Sequence, residues 1–323
     1  MSSHKVDPRL YIAPSVSNEA RAKLETTRAI FSALPVAALP QTLEDFDAAV
    51  ERGVLFAEQL SRSALDMLAP VVTERNLGGV AALDVRSRDY TDDGTALLYI
   101  HGGGFVQGSA RANVLTAALA ASTSGRRVFS IDYTLAPRGT WKTILDQVAA
   151  AWGALEQERP ARALGLIGDS AGGCIAAAST LMLRERGLCM PAALVLLSPV
   201  TDLASEGDTS VTLASVDYLD PRMLRLAYRA YAPDGQLDHP FVSPVHGDFT
   251  RGFPPVLFQV GTRELLLSDS VRLHRAVRAA GQASRLELYE GMPHVFQSLL
   301  ADAPEGKAAW AEIAAFWAEH LSS

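Results

Sequence analysis

Ser170 lies in the run Gly-Asp-Ser-Ala-Gly-Gly at residues 168–173, where a glycine stands two positions before it and another two positions after it. A short apolar segment, residues 163–167, precedes the run, and a small-residue segment with helical spacing follows it. A G-x-S-x-G pattern between a strand and a helix predicts a sharp turn that lifts the serine hydroxyl above the edge of a sheet. The two glycines allow the strand and the helix to approach closely because they lack a Cβ. The pattern predicts that Ser170 is a nucleophile.

The segment His-Gly-Gly-Gly-Phe, residues 101–105, directly follows an apolar run at residues 95–100. A glycine loop after a strand can aim backbone N–H groups at the negative charge that develops on a carbonyl oxygen during acyl transfer. With the N–H that follows the nucleophile, this pattern predicts Gly103, Gly104 and Ala171 as the donors of an oxyanion hole. A phosphate-binding loop would have Lys-Ser or Lys-Thr after its last glycine, where this chain has Phe-Val.

A serine hydroxyl is a weak nucleophile at neutral pH and needs a base. We predict that His294 is this base, because it lies in a loop directly after the last predicted strand and because a Ser, acid, His order requires a late histidine. His101 is expected to pin the glycine loop by hydrogen bonding. The other candidates lie inside a predicted helix, in a long loop or near the C-terminus: His274, His239, His246 and His320.

The acid that orients the base is expected after the strand at residues 256–260. Glu264 is preferred because it lies close to the end of that strand, where a carboxylate would fix the tautomer of the histidine. Asp269 is the alternative. It follows Ser268, which is predicted to cap a helix, and an acidic residue in a first helical turn is favoured by the helix dipole alone.

Strand and helix patterns alternate from residue 95 to the C-terminus, which predicts a mostly parallel sheet with helices on both faces. Helical spacing at residues 18–34 and 43–68 lies before this region, and two short strands at residues 71–73 and 80–86 flank a Gly-Gly turn. A long segment with one helix, about residues 203–245, interrupts the alternation. We expect residues 1–70 and this interruption to form a helical lid on a catalytic domain at residues 71–323.

The composition excludes several classes of protein. The 323 residues carry 29 Lys and Arg against 36 Asp and Glu, a net charge of −7, so a basic nucleic-acid-binding surface is not expected. Two cysteines are too few for a disulfide framework, and the seven histidines are too scattered to predict a metal site. No apolar run is long enough to span a membrane, and no secretory signal is expected, because the N-terminus has no basic stretch followed by an apolar core. We therefore expect a cytoplasmic protein without a metal or an organic cofactor.

The motifs together resemble the hormone-sensitive-lipase-like branch of bacterial carboxylesterases, in the α/β-hydrolase superfamily. The resemblance rests on the glycine loop, the serine turn, Asp132-Tyr133 before Leu-Ala-Pro, Ser198-Pro199 before Asp202, and residues 291–294. It implies an α/β-hydrolase fold with a helical cap and a small-molecule ester with a short acyl chain as substrate. Members often dimerise through the edge of the last strand, so a homodimer is one of the expectations.

Two departures from the family pattern affect these expectations. The family acid is usually Asp in an Asp-Pro-Leu loop, whereas this chain has Glu264-Leu-Leu. Trp141 stands near the place of a Phe-Pro pair, where it is expected either in the core or on a pocket wall. The residues leave open a lactone or an amide as substrate, since the triad chemistry is shared. A non-catalytic binder on the same fold is the remaining alternative.

Overall fold

The computed structural model describes residue 7 and residues 10–33 and 38–323. Leu34, the predicted end of the first helix, lies outside the described residues, as do the other positions in these gaps. The described strands are β1 (Val71–Leu77), β2 (Val80–Arg86), β3 (Ala96–Ile100), β4 (Arg127–Ile131), β5 (Leu164–Asp169), β6 (Ala193–Leu197), β7 (Val256–Gly261) and β8 (Ser284–Tyr289). The described α-helices are α1 (Asn18–Ala33), α2 (Leu43–Leu68), α3 (Val114–Ser124), α4 (Trp141–Glu158), α5 (Ala171–Glu185), α6 (Thr209–Thr212), α7 (Pro221–Tyr231), α8 (Leu267–Ala279), α9 (Phe296–Leu299) and α10 (Pro304–His320).

Within the described residues, the strands form one eight-stranded sheet in the order β1-β2-β4-β3-β5-β6-β7-β8. Strands β3 to β8 pair in parallel, whereas β2 runs antiparallel to both β1 and β4. The predicted α/β fold with a mostly parallel sheet is confirmed. The carboxyl ends of the parallel strands meet at one edge of the sheet, which is where ligands bind in such folds.

The central strands are buried on both faces, which explains their continuous apolar sequences. All residues of β3, β5, β6 and β7 are buried. Their side chains alternate between two hydrophobic clusters, so Leu98 and Ile100 pack on one face while Leu97 and Tyr99 pack on the other. Both faces of the central sheet are therefore apolar and covered.

Two local predictions differ from the structure. Strand β1 continues to Leu77 instead of ending at Thr73, because its polar residues Glu74 and Arg75 lie on an edge strand that faces solvent. Helix α8 begins at Leu267, and Ser268 does not cap it. The Ser268 hydroxyl instead accepts the backbone N–H of Thr209. The prediction of a Ser268 cap was wrong because a tertiary contact takes this hydroxyl.

Residues outside the strand-helix alternation pack near the carboxyl edge of the sheet. The segment at residues 203–245, here called the insertion, contains α6 and α7. Tyr231 of α7 stacks on Phe105 of the glycine loop with ring centroids 4.0 Å apart, and Tyr228 meets the same ring edge-on. Ahead of α1, Ile12 and Val16 pack against Met292 and other residues that follow β8. None of the described helices has the length and the apolar composition that crossing a membrane requires.

Candidate active site

The turn between β5 and α5 presents Ser170 at the carboxyl edge of the sheet. Ser170 has φ +54° and ψ −121°, a strained conformation for a residue with a Cβ, and its side chain is 7% exposed. The turn is tight enough that a Cβ at Gly168 would collide with the carbonyl of Gly172. A Cβ at Gly172 would in turn collide with the carbonyl of Ile100 in β3. The sequence needs both glycines because backbone occupies these spaces.

His294 lies between Ser170 and Glu264. Its Nε2 is 3.0 Å from the Ser170 hydroxyl oxygen, and its Nδ1 is 2.8 Å from Oε2 of Glu264. All three side chains are buried. The Glu264 carboxylate can only accept a hydrogen bond, so Nδ1 must donate to it. The neutral ring therefore carries its proton on Nδ1, and Nε2 is free to accept the proton of the serine hydroxyl.

Glu264 is held on its second oxygen by two donors. The hydroxyl of Ser198 donates to Oε1 at 2.7 Å, and the backbone N–H of Gly261 donates to the same atom at 2.7 Å. Ser198 follows β6 with φ +45°, and its oxygen also accepts the N–H of Val295 at 3.1 Å. One hydroxyl therefore ties the loop that carries the acid to the loop that carries the histidine.

Carboxylates around His294 favour its charged form. Burial lowers the pKa of His294, but the hydrogen bond and negative charge of Glu264, with the charges of Asp217 and Asp169, outweigh burial and leave the pKa raised above 6.5. An imidazolium formed by proton transfer from Ser170 would be stabilised by the same groups. The ring is neutral, and thus able to act as a base, only above this raised pKa.

The glycine loop turns its backbone toward the serine. Gly103 and Gly104 have φ values of +121° and +61°, and a Cβ at Gly103 would collide with the carbonyl of Gln107. The N–H groups of Gly103, Gly104 and Ala171 have no hydrogen-bond acceptor among the described residues. The two glycines line the same cavity as Ser170 and His294. Unpaired N–H groups beside a nucleophile can stabilise an oxyanion.

A buried polar network supports the glycine loop from below. Asp169 accepts the hydroxyl of Tyr99 at 2.6 Å and the backbone N–H of Gly102 at 3.1 Å. The His101 ring stacks on Tyr133, and its Nδ1 lies 2.8 Å from the carbonyl oxygen of Gly102. The hydrogen bond that the sequence predicted for His101 is thus present. Asp169 joins the turn that carries Ser170 to the loop that carries the unpaired N–H groups.

Asp269, the alternative acid, does not contact His294. Its Oδ2 accepts the backbone N–H groups of Thr201 and Asp202 at 2.6 and 3.0 Å. Burial raises the pKa of Asp269 to about 7 despite these bonds. The structure brings Glu264 to the histidine and places Asp269 where it anchors the chain that follows β6.

A cavity of about 270 Å³ opens above the serine. The glycine loop forms one wall, and residues of the insertion form another: Leu219, Asp220, Met223, Leu224 and Ala227. Trp141 does not line this cavity. It is buried against the rings of His239 and Phe241, the core position that the sequence left as one alternative.

Four residues of this site were not singled out by sequence reasoning for the contacts they make: Asp169, Ser198, Asp217 and Tyr218. Ser198 carried a signal, because Ser-Pro directly after a buried strand places its hydroxyl at the same sheet edge as the serine turn. The contacts of the insertion had no such signal, since loops without periodicity do not reveal their tertiary partners. No three His, Cys, Asp or Glu side chains among the described residues are grouped to hold a metal ion.

Comparisons with known proteins agree with this geometry. A family model described as alpha/beta hydrolase fold matches residues 97–298. An acetyl-hydrolase of Streptomyces hygroscopicus is 35% identical over 224 residues, which cover 69% of this chain and 75% of that protein. An esterase of Acinetobacter venetianus is 34% identical over 223 residues, 68% of this chain and 73% of that protein. The crystal structure of an esterase from the bacterial hormone-sensitive lipase family has a TM-score of 0.85 and 31% identity, and the match covers 95% of this chain and 99% of that chain.

The matched family region contains the glycine loop, the serine turn, the acid loop and the histidine loop. It spans residues 97–298, so the three side chains that meet above the sheet all lie inside it. The structural match covers 95% of the chain, so it also includes residues that precede this region. The chain therefore belongs to the α/β-hydrolase family, on the branch of esterases related to hormone-sensitive lipase.

Proposed function

We propose that this protein is a serine carboxylesterase that hydrolyses short-chain acyl esters through an acyl-enzyme on Ser170. The observation that carries the proposal is the continuous hydrogen-bonded arrangement from Glu264 through His294 to the serine hydroxyl, at 2.8 and 3.0 Å. These distances suit proton transfer from a nucleophile to a base that a third group orients.

In the first half-reaction, the Ser170 oxygen attacks the ester carbonyl carbon while Nε2 of His294 takes the hydroxyl proton. The carbonyl π bond opens, and the negative charge moves to the carbonyl oxygen, which Gly103, Gly104 and Ala171 stabilise through their N–H groups. The tetrahedral intermediate collapses as His294 gives its proton to the departing alkoxide oxygen. The products of this half are the free alcohol and an acyl-serine.

In the second half-reaction, water attacks the acyl carbon and His294 takes its proton. The tetrahedral intermediate then releases the carboxylic acid, and the proton returns to the Ser170 oxygen. Throughout both halves, Glu264 keeps the ring in one tautomer and stabilises the imidazolium. Atoms and charge balance with water as the only co-substrate.

The preference for short acyl chains is supported by the small cavity, about 270 Å³, and by the name of the acetyl-hydrolase relative. We assign the insertion to a cap because its residues line this cavity, and α1 to the same cap because its Leu24 and Arg28 border a second cavity together with Asp217 and Tyr218. The resemblance extends this assignment to α2. A homodimer through the edge of β8 agrees with Leu288, which is 53% exposed on that strand. A cytoplasmic location agrees with two free cysteines, Cys174 and Cys189.

The decisive experiment is Ser170→Ala, assayed on p-nitrophenyl acetate and p-nitrophenyl butyrate, with a lactone panel in parallel. We expect kcat to fall by about 10⁴ or more, since the base has no nucleophile to activate. The matched control is Ser179→Ala, a buried serine of α5 whose hydroxyl has no hydrogen-bond partner among the described residues. A fluorophosphonate probe should label wild type and the control but not Ser170→Ala. Activity of Ser170→Ala near that of wild type contradicts the proposal.

A further inference from the structure

Asp217, in the loop between α6 and α7, touches the segment that carries the acid. Its Oδ2 accepts the backbone N–H of Leu265 at 2.7 Å, and its Oδ1 accepts the N–H of Leu219 at 3.1 Å. Leu265 is the residue directly after Glu264. The backbone that aims the catalytic carboxylate is therefore bonded to a side chain of the insertion.

The neighbouring residue, Tyr218, touches the segment that carries the base. Its hydroxyl donates to the backbone carbonyl of His294, and its ring meets the imidazole edge-on with centroids 6.2 Å apart. The next residue, Val295, has a positive φ of +48° and donates its N–H to Ser198. The backbone of the histidine is therefore fixed from the insertion on one side and from the end of β6 on the other.

A third contact makes the connection between the insertion and the acid loop continuous. The hydroxyl of Thr209, in α6, donates to the carbonyl of Leu265 at 2.8 Å, so the insertion holds both the N–H and the carbonyl of that residue. The same hydroxyl accepts the N–H of Ser268 at 2.8 Å. Neither Asp217 nor Tyr218 lines the cavity above the nucleophile. An effect of either side chain on the reaction would therefore pass through the two catalytic loops or, for Asp217, through its charge near His294.

We propose that Asp217 and Tyr218 are positioning residues that fasten the insertion to the loops of Glu264 and His294, so that the triad is aligned only when the insertion is seated. This inference rests on the proposed function, because alignment has a kinetic consequence only if the triad does chemistry. It gives the insertion a second role besides shaping the cavity. Substrate entry and catalytic geometry are then coupled through one short stretch of chain.

The charge of Asp217 adds an electrostatic signature to this arrangement. The groups facing His294 are Glu264 from the loop after β7, Asp169 from the end of β5, and Asp217 with Tyr218 from the insertion. Burial raises the pKa of Asp217 and would favour its neutral form, but above that pKa its charge supports the imidazolium. Where Asp217 is ionised, replacing its carboxylate with an amide removes that negative charge from the surroundings of the ring.

The test compares Asp217→Asn, Tyr218→Phe and a control, Glu206→Gln, which removes a charge from an exposed site of the insertion where it pairs with Arg272. For Asp217→Asn we expect the acidic limb of the kcat/KM profile to move to lower pH, because the pKa of His294 falls. For Tyr218→Phe we expect kcat to fall about five- to tenfold with KM within about twofold, since one hydrogen bond to the base loop is lost. The control should match wild type in both properties.

An NMR titration of the His294 imidazole in wild type and Asp217→Asn separates this inference from the proposed function. A wild type that hydrolyses no ester contradicts the function, while the titration still decides whether Asp217 sets the pKa of His294. An Asp217→Asn enzyme whose imidazole pKa and kcat both equal those of wild type overturns the inference. If Asp217→Asn does not fold, a Tyr218→Phe enzyme with wild-type kcat overturns the inference. The Tyr218→Phe substitution deletes only the hydroxyl that donates to the carbonyl of His294 and leaves the ring in place.

Discussion

Glu264 and Asp269 lie on either side of the start of α8, and both carboxylates are buried. Glu264 accepts two hydrogen bonds on one oxygen and faces the imidazole with the other. Asp269 uses one oxygen to accept two backbone N–H groups, those of Thr201 and Asp202. Both acids are therefore buried carboxylates, and what separates their surroundings is the partners that they contact.

This difference teaches what makes a buried carboxylate functional. Asp269 binds amides that cannot change their charge, so burial dominates and its pKa rises to about 7. Glu264 faces a ring that gains a positive charge during the proposed reaction, and it raises the pKa of that ring. A buried acid beside a titratable partner can take part in proton transfer, whereas a buried acid beside backbone N–H groups holds a chain segment in place.

Among variants of the two acids and their partners, Glu264→Gln is expected to have the largest effect. We expect kcat to fall by about 10³ to 10⁴, because the amide can no longer fix the tautomer of His294 or stabilise the imidazolium. The thermal midpoint should change little, since Ser198 and Gly261 can still contact the side-chain oxygen. Steady-state kinetics and a thermal melt measure the two properties. If Asp269→Asn lowers kcat by about 10³ to 10⁴ and Glu264→Gln does not, then Asp269, and not Glu264, is the acid that orients His294.

A smaller effect is expected when Ser198, the hydroxyl partner of Glu264, is replaced by alanine. The carboxylate loses one of its donors and the N–H of Val295 loses its acceptor, so we expect kcat to fall about tenfold, equivalent to about 1.4 kcal/mol of barrier. The matched control is Thr201→Val, which removes the hydroxyl bonded to the backbone of Asp269. It should lower the free energy of unfolding by about 1 kcal/mol and leave kcat within about twofold. Equal kinetic losses in both variants would contradict the distinction between the two acids.

The smallest kinetic effect is expected for Asp269→Asn. Both N–H groups contact the same oxygen of Asp269, so the amide oxygen can replace it, and kcat should stay within about threefold. Stability should respond to pH, because the native carboxyl keeps its proton up to about pH 7 whereas the unfolded chain releases it near the ordinary value of 3.8. The free energy of unfolding of wild type therefore falls as pH rises from about 3.8 to about 7, and that of the variant does not fall for this reason.

Urea unfolding at pH 4.5 and pH 7.5 measures this difference. We expect the free energy of unfolding of Asp269→Asn, relative to wild type, to increase between the two pH values by an amount on the order of 2 kcal/mol. Because other titrating groups are common to both proteins, they cancel in the comparison. A difference that does not change with pH would show that Asp269 is ionised in the native state throughout this range.

The sequence predicted those parts of the molecule that local rules control. Continuous apolar runs predict the buried parallel strands, and two glycines around Ser170 predict a turn that only small residues can form. The position of Glu264 close to a strand end was sufficient to prefer it over Asp269. In each case the decisive information lies within a few residues of the predicted feature.

Features that depend on distant contacts could not be predicted in this way. The hydroxyl of Ser268 was assigned to its own helix, but it binds Thr209 of the insertion. The contacts of Asp217 and Tyr218 with the loops of Glu264 and His294 join segments that are 48 and 76 residues apart in the chain. The insertion has no strong periodicity in its loops, so its docking against the sheet edge is set by tertiary packing that local patterns do not encode.

The crowding at Gly172 has an evolutionary consequence. Its α-carbon faces the carbonyl of Ile100, at the end of the strand that leads into the glycine loop, so a methyl group there would displace Ser170 and the glycine loop together. We therefore expect substitutions at Gly172 to be tolerated poorly, since every other residue type adds a Cβ. New substrate preferences in descendants of this chain should instead arise at Leu219, Met223 and Leu224, whose side chains border open space and can change without moving the backbone.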